Sequence, residues 1–157
     1  MIDVFEISQL KTTAPIFDTE KLRWMNGEYI RMKSNAELKK LLQRDDPIID
    51  KILPLVKERM KTLTEFESLA GFFYEKPTVA KQPHEQLLQT ILSSCPWNHD
   101  AMESAIREAA EKENLKARDL FMELRLAITG NTVGPPLLES MEILGKDETL
   151  SRLTVQT

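Results

Sequence analysis

The sequence predicts an all-α protein, and three observations carry that prediction. Apolar residues recur at helical spacing through most of the 157-residue chain. Helix-capping residues precede those stripes at the expected offsets. Signals for β structure are thin: Val79 and Val155 stand isolated, and no alternating run is bounded by turn residues.

Taken in order, Ser34-x-x-Glu37 and Thr64-x-x-Glu67 have capping-box spacing, in which a hydroxyl and a carboxylate satisfy two backbone N–H groups reciprocally. Asp46-Pro47 sets a cap before a proline at the first helical position. The stripe Ile48, Ile49, Ile52, Leu55, Val56, Met60 then predicts a helix from residue 48 to residue 60, with Arg59 in its last turn. Leu87, Leu88, Ile91 and Leu92 form a second stripe, and Asn98 caps the helix after Trp97. Leu120, Leu124 and Ile128 line the helix that carries Arg125, which Thr129-Gly130 terminates. After a turn, Pro135-Pro136 opens a last stretch marked by Leu137, Met141 and Leu144. Lys76-Pro77-Thr78, following Phe72-Phe73-Tyr74, is the best internal boundary. The expected organisation is a connecting segment (1–20), a first helical subdomain (21–77) and a second (78–157), two small units packed together.

Bulk composition narrows the function classes. Charged residues make up 29% and hydrophobic residues 41%, which fits a globular domain. No apolar run approaches the ~20 residues of a membrane span, and no basic-then-apolar leader is present. The cytoplasm, with no membrane contact, is the expected setting. A single cysteine, Cys95, precludes an internal disulfide. The net charge of −4 argues against indiscriminate nucleic-acid binding, but it is unevenly spread. Residues 1–64 hold 12 basic and 10 acidic side chains, whereas residues 65–157 hold 9 and 15.

Nothing in the chain reads as catalytic machinery. Pro96-Trp97 separates Cys95 from His99, so the two do not share a helical face, and a cysteine beside tryptophan reads as a small hydrophobe. His84 and His99 lack metal-ligand spacing. No glycine-rich phosphate loop occurs among the five glycines. Catalytic and metal-binding residues are therefore expected to be none. Arg59 and Arg125 are the candidate binding cations, although an arginine in a last helical turn also complements the helix dipole. Trp24 and Trp97 read as core anchors ahead of stacking platforms.

Four blocks sharpen this reading. They are Phe17-Asp18-Thr19-Glu20-Lys21-Leu22-Arg23-Trp24-Met25-Asn26-Gly27-Glu28-Tyr29-Ile30-Arg31; Val56-Lys57-Glu58-Arg59-Met60-Lys61-Thr62-Leu63-Thr64-Glu65-Phe66; Phe72-Phe73; and Leu124-Arg125-Leu126-Ala127-Ile128-Thr129-Gly130 with Gly134-Pro135-Pro136-Leu137 and Leu144-Gly145-Lys146. In that order they resemble the C-terminal anticodon-binding region of bacterial glutamyl-tRNA synthetases, over nearly the whole chain. The resemblance implies a helical anticodon-binding cage whose partners are the anticodon loop of tRNA(Glu) and the remainder of the synthetase. A monomer is expected.

The family's catalytic domain uses ATP and magnesium and carries His-x-Gly-His-like and Lys-Met-Ser-Lys-Ser-like motifs. Neither motif occurs here, so no cofactor and no glutamate activation are expected of this chain. The resemblance assigns Arg59 to the third anticodon base, Arg125 to the anticodon, and Gly134, Pro135 and Leu137 to a loop that holds another base through backbone groups and an apolar contact. Gly134 and Pro136 depart from common family versions, and Pro136 has no backbone N–H to offer. The stretch Asn35–Asp46 is shorter than in some relatives and leaves the phosphate-contacting lysines unassigned. Negative charge and apolar stripes also suit a helical protein-interaction module, which stands as the alternative.

Overall fold

The computed structural model describes residues 17–154, which fold into helices with no strand among them. Val155 and most of the expected 1–20 segment lie outside these residues. Nine α-helices follow one another: α1 (Thr19–Met32), α2 (Asn35–Leu42), α3 (Ile49–Lys57), α4 (Glu65–Ala70), α5 (Glu85–Ser94), α6 (His99–Lys112), α7 (Ala117–Thr129), α8 (Leu137–Leu144) and α9 (Lys146–Arg152), with a 3-10 turn at Gly71–Phe73. The all-α expectation holds.

Local capping accounts for several boundaries. Asp18 accepts from the Lys21 N–H to start α1, and Asn98 accepts from the Ala101 N–H to start α6. Ser34 and Glu37 complete the expected capping box of α2. The Asp46 carboxylate accepts from the Ile48 N–H, and α3 begins only after the Pro47-Ile48 turn, at Ile49.

Two boundaries differ from expectation. The α3 helix ends at Lys57, three residues early, because the Arg59 and Met60 N–H groups both turn back to the Val56 carbonyl. Pro54, inside α3, also removes the amide that would have paired the Asp50 carbonyl. The Thr64 box does not form. Thr64 is already helical in backbone conformation, its hydroxyl pairs with that of Thr62, and its neighbour Glu65 accepts instead from the Lys61 and Thr62 N–H groups.

Buried side chains form two clusters. One gathers Leu38, Ile49, Ile52, Leu53, Val56, Met60, Phe66 and the Phe72-Phe73 pair. The other gathers Leu88, Leu92, Met102, Ile106, Leu120, Leu124, Ile128, Leu138 and Met141. Helices α3 and α8 meet where the two adjoin; Ile143 packs on the first cluster and Leu144 touches both. The α1 helix joins the first cluster through Ile30, and at Gly27 it approaches the chain after α3 so closely that a Cβ would lie 3.3 Å from the Met60 carbonyl oxygen.

Gly130 ends α7 in the left-handed region, with φ +73°, and a Cβ there would sit 2.9 Å from Pro77 Cβ. Gly130→Ala should therefore lower stability by about 2 kcal/mol, combining left-handed strain with the contact at Pro77. Gly71→Ala, at a right-handed position with nothing near the added methyl, should be close to neutral in the same denaturant titration.

Candidate nucleic-acid interface

Arg59 stands in the turn that follows α3, held by its backbone amide on the Val56 carbonyl. Its side chain is exposed, and among the described residues it makes neither an ion pair nor a hydrogen bond. The early end of α3 is what turns it outward.

Arg125 sits on α7, one turn before the Thr129-Gly130 stop. Its Nη1 donates to the Pro135 carbonyl at 2.9 Å, fastening the corner between α7 and α8 to the helix that precedes it. Thr129 stiffens the same corner, donating its hydroxyl to the Arg125 carbonyl and accepting from the Asn131 N–H. Burial, and after it the positive charge of Arg59, hold the Arg125 guanidinium below its ordinary pKa. Neither Arg59 nor Arg125 has a carboxylate partner among the described residues. An arrangement of this kind is stabilised by an incoming anion or by a surface rich in hydrogen-bond acceptors.

Gly134 is buried beside Arg125, and a Cβ on it would lie 3.7 Å from Nη1, an ordinary contact, so a small hydroxyl residue would also fit there. Pro136 serves as the N-cap residue of α8, which starts at Leu137 rather than at the prolines, and its carbonyl accepts from the Ser140 N–H and hydroxyl. The N–H groups of Thr132 and Val133, on an exposed loop, have no partner among the described residues. The Gly134 N–H likewise has no partner among the described residues, so the unpartnered backbone donors of the loop lie at 132–134 rather than at the diproline. Pro135 is buried, and Leu137 is only 6% accessible because its side chain belongs to the second core cluster. The apolar contact expected of Leu137 is largely spent inside the protein.

The other candidates fall into place around this pair. Trp24 is 56% exposed, contrary to its expected core role, because α1 buries Gly27 and Ile30 instead. Trp97 does pack against the second cluster, with Nε1 buried and unpartnered. His84 pairs with Glu123, and His99 with Asp100. Within the basic stretch, Arg31, Lys33, Lys39, Arg44 and Lys57 each bond within the chain. Lys61, two residues from Arg59, is exposed and has no such partner among the described residues. Sequence spacing alone does not separate Lys39 and Lys57 from Lys61, since their partners lie 6 to 24 positions away. No cluster of metal-ligating side chains occurs among the described residues, and none of their helices is long and apolar enough to cross a membrane.

Residues 20–156 match the family model described as an anticodon binding domain. The chain is 38% identical to glutamate–tRNA ligase 1 of Fervidobacterium nodosum, the alignment covering 99% of this chain and 36% of that protein. It is 30% identical to glutamate–tRNA ligase 1 of Pseudothermotoga lettingae, covering 98% and 36%. Among solved structures, a glutamate tRNA ligase from Elizabethkingia meningosepticum in complex with its amino acid superposes with a TM-score of 0.75 at 26% identity, covering 95% of this chain and 34% of the other. The chain thus spans about a third of the length of the relatives it matches. With the order of the sequence blocks, the helical fold and these matches in agreement, the chain belongs to the anticodon-binding domain family and corresponds to the anticodon-binding region of glutamate–tRNA ligases.

Proposed function

We propose that this chain reads the anticodon loop of tRNA(Glu) for a glutamate–tRNA ligase, with Arg59 on the third anticodon base and Arg125 holding the corner against which a neighbouring nucleotide rests. The observation that supports this reading is an exposed Arg59 guanidinium without a carboxylate partner among the described residues, together with an Arg125 guanidinium tied to the loop at the Pro135 carbonyl. Cytosine presents N3 and O2 as adjacent acceptors, which suit a guanidinium fork of donors only. Guanine at the same place, as in tRNA(Gln), turns N1–H and N2–H donors toward that fork and leaves both sides unpaired. Lys61 is the lysine best placed to meet a loop phosphate. The two core clusters are read as the subdomains 21–77 and 78–157, so that the reading site spans their joint.

Activation of glutamate, with its ATP and magnesium, is assigned to the catalytic part of the ligase, and the working setting to a monomer in the cytoplasm. A protein contact has support of its own. Leu22, Met25, Tyr29 and Met32 leave an apolar side of α1 exposed, which suits the remainder of the synthetase.

Titration of a labelled anticodon stem-loop RNA into the chain at several salt concentrations tests the reading. With Arg125 and Lys61 neutralising two phosphates, log K should fall against log salt with a slope of about −1.4. Absence of binding, or binding indifferent to salt, would favour a protein-interaction module instead.

A further inference from the structure

We propose that Arg152, outside the set of residues assigned to the anticodon, is a positioning residue that fixes the angle between the two helical units and so sets the spacing of Arg59 and Arg125. The inference rests on the function proposed above. Arg152 lies in the last turn of α9 with only 3% of its side chain exposed. Its Nη1 donates to two backbone carbonyls at 2.8 Å each, those of Phe72 and Ile128. Phe72 belongs to the 3-10 turn of the first cluster, and Ile128 lies on α7 in the second. One buried cation therefore bridges the unit that carries Arg59 and the helix that carries Arg125.

The chemistry suits a clasp. The Ile128 carbonyl is among the last four of α7, which have no intrahelical donor, and a cation there also meets the negative end of the helix. Glu148, one turn back on α9, accepts from Nε at 2.7 Å and orients the guanidinium. The side chain has a single anionic partner and spends its other bonds on neutral carbonyls from two bodies. That is a geometric demand, and a lysine ammonium, with a different shape and no fork, does not reproduce it.

Other ties across the joint are weaker or peripheral. Asn131 Nδ2 reaches the Ser68 carbonyl at 3.4 Å, and Lys76 donates to the Ser151 carbonyl from an exposed position. The remaining contacts, Ile143 and Leu144 against the first cluster and Gly130 against Pro77, are packing contacts without the directionality of a hydrogen bond. Arg125 lies one helical turn from Ile128, so a pivot at this point moves the reading corner directly.

The test uses the full chain in a Cys95→Ser background with spin labels attached after Lys40→Cys and Ser104→Cys, two exposed positions on different units. Arg152→Lys should leave the helical circular dichroism unchanged and broaden the inter-label distance distribution. It should also reduce, threefold or more, the preference for a stem-loop with cytosine over one with guanine at the third anticodon position. In an Arg59→Gln background, Arg152→Lys should reduce that preference no further, because it acts through the placement of Arg59. Should Arg152→Lys fail to fold, Glu148→Gln removes the orienting charge and should broaden the distances in the same direction. An unchanged distance distribution with preference retained overturns the proposal, as does an additive loss in the Arg59→Gln background. Failure of the unsubstituted chain to bind either stem-loop would count against the anticodon reading, and the distance measurement would still decide the clasp.

Discussion

Arg59→Gln is expected to cut the preference for cytosine over guanine at the third anticodon position by about tenfold, while total affinity for the cytosine stem-loop falls by less. A bidentate contact between a side chain and a base edge discriminates by ~1–3 kcal/mol, and 1.4 kcal/mol corresponds to a factor of ten. Glutamine's amide sets an N–H donor beside a carbonyl acceptor, so it meets either base half-way: it keeps one bond to cytosine and accepts one from guanine. The fold should not notice. Arg59 is exposed, and its side chain has no partner among the described residues, so the unfolding midpoint should stay within about 2 °C of the unsubstituted chain. Equal losses for the two RNAs would show that Arg59 contributes charge rather than readout.

Arg125→Met should act differently, lowering affinity for both stem-loops by about tenfold or more and leaving their ratio nearly intact. Methionine keeps much of the apolar stem that lies half-buried on α7 but removes the donor to the Pro135 carbonyl. A buried acceptor deprived of its partner costs ~1–3 kcal/mol, and that cost falls on the corner 131–136 rather than on the helices. Binding suffers more than stability, because the loop loses its anchor and the site loses one of its two unpaired cations. Arg125→Lys should restore part of the salt dependence without restoring the loop, since a lysine supplies charge but not the guanidinium geometry. Stem-loop titrations alongside urea unfolding separate these effects.

How much of this was legible in the sequence depends on the range of the forces involved. Ser34 with Glu37, and Asn98 with the N–H three residues on, are contacts within one turn, and both were readable as written. Thr64 failed although its spacing was equally good, because Glu65 competes for the same stretch and captures two loop amides from the other side. A capping pattern names a possible bond; it does not say which neighbour wins it.

The α3 stripe was readable, its stop was not. Met60 is fully buried in the first cluster and so kept the apolar rhythm going three residues past the real end of the helix. Trp24 misled for a related reason. Which side of α1 faces inward is decided by Gly27, where the lack of a side chain permits the approach to Met60 and Lys61, and not by the largest hydrophobe nearby.

The site residues divide in the same way. Arg59 and Arg125 are 66 positions apart in sequence, and no local rule joins them; only the order of the family-like blocks suggested they belong together. Leu137 was readable as a corner residue but not as one whose side chain is taken by the core. Arg152 had no local signal at all. It looks like an ordinary basic residue in a last turn, and its two carbonyl partners lie 24 and 80 positions away.

A single exposed guanidinium, that of Arg59, is expected to tell one base from another. Two stem-loop RNAs that differ only in cytosine or guanine at the third anticodon position, titrated into the unsubstituted chain at one salt concentration, measure this directly. The predicted result is a dissociation constant for the cytosine RNA about tenfold or more below that for the guanine RNA. Equal constants for the two would contradict the account, whatever the absolute affinity.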